Sequence, residues 1–253
     1  MALARAELES LLRIRKLDRT LTTALPGLPD IDTASTGIDA LDAIVGGGLP
    51  RGQVSEIVGP RSSGRTSLTL QLLASATARG ELVALVDALD MLDVESAVSA
   101  GIDLSRVLWV RGHVVSNPGM CRDMNQRALE QVIRALALIL QAGNFGLVVF
   151  DAAEAPAEAL RRLPFTTWLR LQRMVEGSQT TCVLVGGETM ARSSAGLTLR
   201  TGVSDLGLGV SKGIRFHDRL FEGLDVSARV VRARAQAQEA AAVALTTAAT
   251  NCA

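Results

Sequence analysis

The stretch Gly59-Pro60-Arg61-Ser62-Ser63-Gly64-Arg65-Thr66-Ser67 decides the fold. It follows the strand-type run Val54 to Val58 and opens a run of helical spacing over 65–79. A glycine-rich turn between a strand and a helix is the context that a phosphate loop requires. The glycines let backbone N–H groups turn inward around an anion, and the helix N-terminus adds a favourable dipole. All nine residues are therefore candidates for cradling a nucleotide phosphate, with the Thr66 hydroxyl as a ligand for Mg²⁺.

Arg65 stands where such a loop ordinarily carries lysine. Lysine is a compact point charge, whereas the planar arginine fork is larger. Arg65 either binds phosphate from a different direction or fills the pocket and pairs with Asp151. A third reading is a turn of inherited shape that binds nothing tightly. Asp151 ends the apolar run Leu147-Val148-Val149-Phe150. A carboxylate there is the expected second ligand for Mg²⁺ once a phosphate loop precedes it. ATP with Mg²⁺ is thus one expectation for the site, and a loop that needs no cofactor is the other.

Around this centre, apolar strands alternate with helices. Strands are expected at Leu82 to Asp87, Arg106 to Val110, Leu147 to Asp151 and Thr180 to Gly186. Helices are expected over 37–44, 93–100, 123–142 and 165–176. That order indicates a mostly parallel sheet with helices on both faces. After Gly196 the chain turns to strand-like runs at Leu197 to Thr201, Leu206 to Val210, Gly213 to Phe216 and Leu224 to Arg232. Their short turns suggest antiparallel strands that extend the sheet.

The flanks differ from this α/β core, which spans 30–233. Residues 1–29 form an arm and hinge: a leucine stripe with basic residues at helical spacing over 2–25, then Pro26-Gly27-Leu28-Pro29. The arm packs on its own domain or docks on a neighbour. Residues 234–253 are rich in Ala, Gln, Thr and Val, a composition read as a frayed helix or a flexible tail. Both ends are expected to carry partner contacts.

Composition removes several function classes. Lys and Arg number 26, as do Asp and Glu, so no overall positive field draws the chain to nucleic acid. Tyr is absent, and Phe and Trp number five and two, which leaves little for a base-stacking platform. Cys121, Cys182 and Cys252 have neither disulfide-framework nor zinc spacing. No apolar run approaches a membrane span, and Arg5, Glu7 and Glu9 are too charged for a secretory signal. The expectation is a reduced, cytoplasmic protein.

The ordered matches resemble the RecA family. They begin at Ser35-Thr36-Gly37-Ile38-Asp39-Ala40-Leu41-Asp42 and continue through Gly47-Gly48-Leu49-Pro50-Arg51-Gly52. Glu56-Ile57-Val58-Gly59-Pro60, Ser62-Ser63-Gly64, Thr69-Leu70-Gln71 and Val86-Asp87-Ala88 follow, then Gly101-Ile102-Asp103-Leu104 and the Asp151 strand. The resemblance covers about residues 35–202 and implies a RecA-like phosphate-loop core. It also implies a water-activating glutamate where this chain has Leu89. A γ-phosphate sensor is implied near Gly186-Gly187, with Glu188 beside it as a substitute. Of the two DNA loops implied, the first falls in 152–178, with Arg161, Arg162, Trp168, Arg170 and Arg173, and looks mostly helical. The second shrinks to 189–196.

A short RecA-like chain with altered catalytic positions looks like the ImuA family, RecA-related accessory proteins of a bacterial damage-induced (SOS) mutagenesis cassette. That resemblance implies a scaffold in translesion synthesis, with DNA contact weak or indirect. Its implied partners are an ImuB-type inactive Y-family polymerase, an error-prone replicative-type polymerase and RecA itself. The alternative is a DNA-dependent ATPase acting as a recombinase or recombination mediator. A regulator of the KaiC or RadA type fits least, for want of a zinc motif, a second ATPase repeat and a protease-like domain.

Overall fold

The computed structural model describes residues 32–116, 122–191, 194–203, 223–233 and 241–248. The expected arm at 1–29 and the runs at 206–210 and 213–216 lie outside these residues. A two-strand ribbon pairs β1 (Thr33–Ala34) with β2 (Leu49–Pro50) around α1 (Asp39–Val45). The Asp42 carboxylate on α1 accepts from Ser35 Oγ, Thr36 N and Thr36 Oγ1, which pins the entry to the core.

Among the described residues the main sheet has eight strands. In chain order its elements are β3 (Val54–Val58), α2 (Arg65–Ala78), β4 (Val83–Asp87), α3 (Val94–Ser99), β5 (Val107–Arg111) and α4 (Arg122–Ala142). Then come β6 (Leu147–Asp151), α5 (Ala157–Arg162), α6 (Phe165–Val175), β7 (Thr181–Gly186), β8 (Leu197–Val203), β9 (Gly223–Ala233) and β10 (Ala242–Ala248). The strands lie in the order β10-β9-β8-β3-β7-β6-β4-β5, parallel from β8 to β5 and antiparallel at β8–β9 and β9–β10.

Strand alternation sends side chains to two cores. Val54, Ala84, Val86, Val148 and Phe150 face α4 to α6, where Leu129, Val132, Leu136 and Ile139 recur at helical spacing. Ile57, Val83, Leu85, Val149 and Val183 face α1 to α3, meeting Leu41, Leu68, Leu72 and Ala97. Because both faces are covered, β3, β4 and β7 are buried along their whole length. The apolar runs Val83 to Val86 and Cys182 to Val185 follow from that, while β3 carries Ser55 and Glu56 inside.

The tail departs from expectation. Ala242–Ala248 is a strand paired antiparallel with β9, from Ala242 opposite Arg229 to Ala248 opposite Gly223. The reason is period two: Val243 and Leu245 pack against the core under α1, while Ala242 and Ala244 are exposed. Alanine richness hid this alternation. The edge of β9 supplies the backbone partners that an isolated alanine-rich segment lacks.

Candidate phosphate-binding site

The register brings the carboxyl ends of the strands together. Asp87 at the end of β4 is the direct neighbour of Asp151 at the end of β6, and Val58 at the end of β3 is opposite Gly186 on β7. In open α/β sheets this edge is where ligands bind. The loop 59–64 leaves β3 here and turns into α2.

Its main chain has the shape that the sequence demands. Gly64 is left-handed, with φ 85°, and Ser62 adopts φ 58°, a conformation uncommon outside glycine. No side chain caps the N-terminus of α2 and its first turn has no acidic residue, so the first N–H groups face the loop. The loop is also fixed from behind. Buried Ser63 Oγ lies 2.8 Å from Thr201 Oγ1 on β8, and Gly59 N donates to Gly186 O at 3.2 Å. A Cβ on Gly59 would come within 2.6 Å of Ser63 Oγ.

Arg65 does not pair with Asp151. Its side chain is 5% exposed, and it donates from Nη1 to Ala153 O at 3.1 Å and from Nη2 to Glu154 Oε1 at 2.9 Å. The other Glu154 oxygen accepts from Arg61 Nε. Gly187, where a sensor side chain is implied, faces the same guanidinium: a Cβ built there would lie 3.9 Å from Arg65 Nη1. The Arg65 guanidinium is thus buried and paired, and the carboxylate it meets is that of Glu154.

Asp151 is held by its own turn, with Oδ1 accepting from Ala153 N at 2.9 Å. Burial pushes its carboxyl above the ordinary range, and nearby Asp87 pushes the same way. The Ala153 N–H and the Arg65 charge pull against that. Asp87 accepts from Leu89 N at 3.2 Å, Met91 N at 2.7 Å and Leu92 N at 2.8 Å, with Trp109 Nε1 at 3.4 Å. A cavity of about 290 Å³ opens between α2 and α3, lined by Thr66, Asp87, Leu89, Asp151 and Glu154. Leu89 is half-buried against the core and brings no proton acceptor to that cavity.

The main chain therefore fits a phosphate, and the Arg65 cation beside it is already paired. Arg65 is already neutralised, one oxygen of Asp151 accepts from Ala153 N, and no group of three His, Cys, Asp or Glu among the described residues is arranged for a metal. Thr66 is exposed and lines the same cavity as Asp151, which is the pairing that the sequence suggested.

The remaining sequence candidates divide plainly. The region 152–178 is largely helical, as α5 and α6. Trp168 is a core residue, 6.5 Å from the Phe150 ring. Arg161 pairs with Glu188 at 2.6 Å and Arg162 with Glu158 at 2.9 Å, so Glu188 faces the surface and not the loop. Arg170 and Arg173 are exposed on α6. Cys182 is buried, and burial pushes its thiol up to about 12.

Two residues escaped the sequence reading. Glu154 lies three positions after Asp151, a spacing with no signature of its own. Glu56 is fully buried on β3, and its Oε1 accepts from Met190 N and Ala191 N, both at 2.6 Å, while Oε2 accepts from Thr198 Oγ1 at 3.2 Å. An acidic residue in a short strand bounded by valines is the signal that would have found it.

Comparison with known proteins gives the family and the fold. The RecA N-terminal domain family matches residues 22–159. Protein RecA of Streptomyces venezuelae is 41% identical over 126 residues, covering 49% of this chain and 30% of that protein. Protein RecA of Bordetella petrii is 42% identical over 127 residues, covering 50% and 32%. The chain thus matches under a third of these relatives' length. A crystal structure of the RadB recombinase superposes with a TM-score of 0.58 at 21% identity, over 84% of this chain and 94% of that one. That likeness bears out the expected α/β core with its C-terminal antiparallel strands.

Proposed function

The chain belongs to the RecA family, and we propose that it serves there as a non-hydrolysing accessory protein of DNA repair, a scaffold for damage-induced translesion synthesis of the ImuA kind. The observation that carries this reading is the Arg65–Glu154 ion pair. A phosphate loop in a hydrolytic site needs its cation free for the β- and γ-phosphates, and needs a group to orient the attacking water. Here the cation is engaged by an internal carboxylate, and Leu89 stands where the water-activating glutamate is implied.

Work is then done by contacts. The proposed partners are an ImuB-type polymerase relative, an error-prone replicative-type polymerase and RecA. ATP with Mg²⁺ is at most a structural ligand in this reading, cradled by 59–67 without turnover. Among the described residues no helix is long and apolar enough to cross a membrane. The proposed role places the protein at the nucleoid.

The test is phosphate release by the purified chain, with and without single-stranded DNA, alongside titration against an ImuB-type protein and RecA. The scaffold reading expects background turnover and saturable binding to at least one partner. DNA-stimulated turnover would instead support the recombinase or mediator reading, which the RecA match and the loop main chain favour.

A further inference from the structure

We propose that Glu154 is a built-in stand-in for a phosphate anion and sets what the loop accepts: a polyphosphate group enters only in exchange for the Glu154 carboxylate. This rests on the account of the loop given under the proposed function, and it goes further by naming the ligand chemistry and the residue that guards it.

The geometry is that of an occupied anion site. The two carboxylate oxygens are divided between two cations, Oε1 on Arg65 and Oε2 on Arg61. Charge-assisted bonds of this kind are about twice as strong as neutral ones. The three partners differ in freedom. Arg65 is sealed, at 5% exposed, and anchored by Ala153 O independently of Glu154. Glu154 is 21% exposed and Arg61 is 77% exposed. The carboxylate is therefore the movable member. It can swing to solvent with Arg61 while the Arg65 guanidinium stays in place.

A phosphate arriving over the uncapped N-terminus of α2 meets a cation whose charge is already compensated. Binding is then an anion exchange around a fixed guanidinium. The incoming group must out-compete a carboxylate that is covalently tethered and so present at high effective concentration. A single inorganic phosphate gains too little in that exchange. A polyphosphate, with several charged oxygens to spread over Arg65, Arg61 and the N–H groups of the loop, gains enough. The same chemistry is offered by a nucleoside triphosphate and by inorganic tripolyphosphate.

The experiment is calorimetric titration of the full chain with ATP and, separately, with inorganic tripolyphosphate, in wild type, Glu154→Gln and Arg65→Ala/Glu154→Gln. The glutamine keeps an oxygen for Arg65 and removes the charge. Glu154→Gln is expected to tighten binding about tenfold or more, the worth of one charge-assisted contact, and the double variant to lose that gain. A gain with both ligands supports the proposal and identifies the bare polyphosphate as sufficient. A gain with ATP alone supports it and adds the nucleoside as a requirement. Equal affinity in wild type and Glu154→Gln for both ligands overturns it, as does a gain that survives loss of Arg65. Should Glu154→Gln fail to fold, Glu154→Asp keeps the charge but withdraws it by one methylene, and an intermediate gain is expected in place of none. Because the assay uses neither partner nor turnover, its failure leaves the scaffold reading standing, and failure of partner binding leaves this result standing.

Discussion

Gly64 lies directly beneath Val226: a Cβ built on the glycine would sit 2.6 Å from Val226 Cγ2 and 2.8 Å from Cγ1. The turn into α2 is therefore shaped by β9, a strand more than 150 residues further along the chain, as well as by any anion it holds. Gly64→Ala is expected to destabilise the fold by about 2–3 kcal/mol, through left-handed backbone strain and overpacking together. Gly64→Ala/Val226→Ala is expected to recover part of the overpacking component. Urea unfolding of the two variants checks this. A Gly64→Ala variant as stable as wild type would show that the loop is not seated on β9.

Arg65→Ala leaves Glu154 with Arg61 alone and removes the bond to Ala153 O. Breaking a buried pair typically costs about 3–5 kcal/mol. The partial exposure of Glu154 reduces that, so about 1–3 kcal/mol is expected here. Asp151→Asn, by contrast, keeps an oxygen for Ala153 N and is expected to change stability little. The two denaturation midpoints distinguish an Arg65–Glu154 pair from an Arg65–Asp151 pair.

Burial pushes the Glu56 carboxyl above its ordinary value of 4.5, against hydrogen bonds from Ala191, Met190 and Thr198 and the attraction of Arg232. The folded state then binds more protons than the unfolded state, so the contribution of Glu56 to stability falls as pH rises from about 4.5 through the raised value. Glu56→Gln retains an acceptor for Met190 and Ala191 and removes this dependence. Its stability relative to wild type is expected to increase with pH across that window. A difference that is flat with pH would contradict the assignment.

Removal of residues 241–253 strips β10 from β9 and uncovers a strand edge beside Val231, which is 46% exposed. Exposed strand edges template aggregation. The truncated chain is expected to melt at lower temperature and to aggregate in a concentration-dependent way, by differential scanning fluorimetry with light scattering. Unchanged melting would return this segment to the status of a dispensable tail.

The core elements were legible because burial on both faces writes itself as apolar runs. Val54–Val58 and Leu147–Asp151 have the bounds that their sequences announce. The phosphate loop was legible because its glycines and its strand-to-helix setting are local. What escaped was non-local or masked by composition. Glu154 acts through Arg65, 89 residues away, and no spacing marks the pair. Glu56 is buried because its oxygens meet N–H groups from residues 190 and 191. The strand Ala242–Ala248 was hidden because alanine carries no period; only Val243 and Leu245 betray it.

The cavity beside Thr66 also bears on how such a protein changes over generations. Leu89 shares that cavity with Asp87, Asp151 and Glu154. A Leu89→Glu substitution would add a fifth carboxylate to the four that line the cavity, Asp87, Asp93, Asp151 and Glu154, where like charges in a confined site resist ionising together. A glutamate at position 89 is thus disfavoured while Glu154 is present. Glu154 has to leave before a glutamate at 89 becomes tolerable, and its departure strands Arg65 first. On the proposed non-hydrolysing reading the order of substitutions is constrained, and a loss of turnover would act as a ratchet: simple to enter by single changes and hard to leave by them.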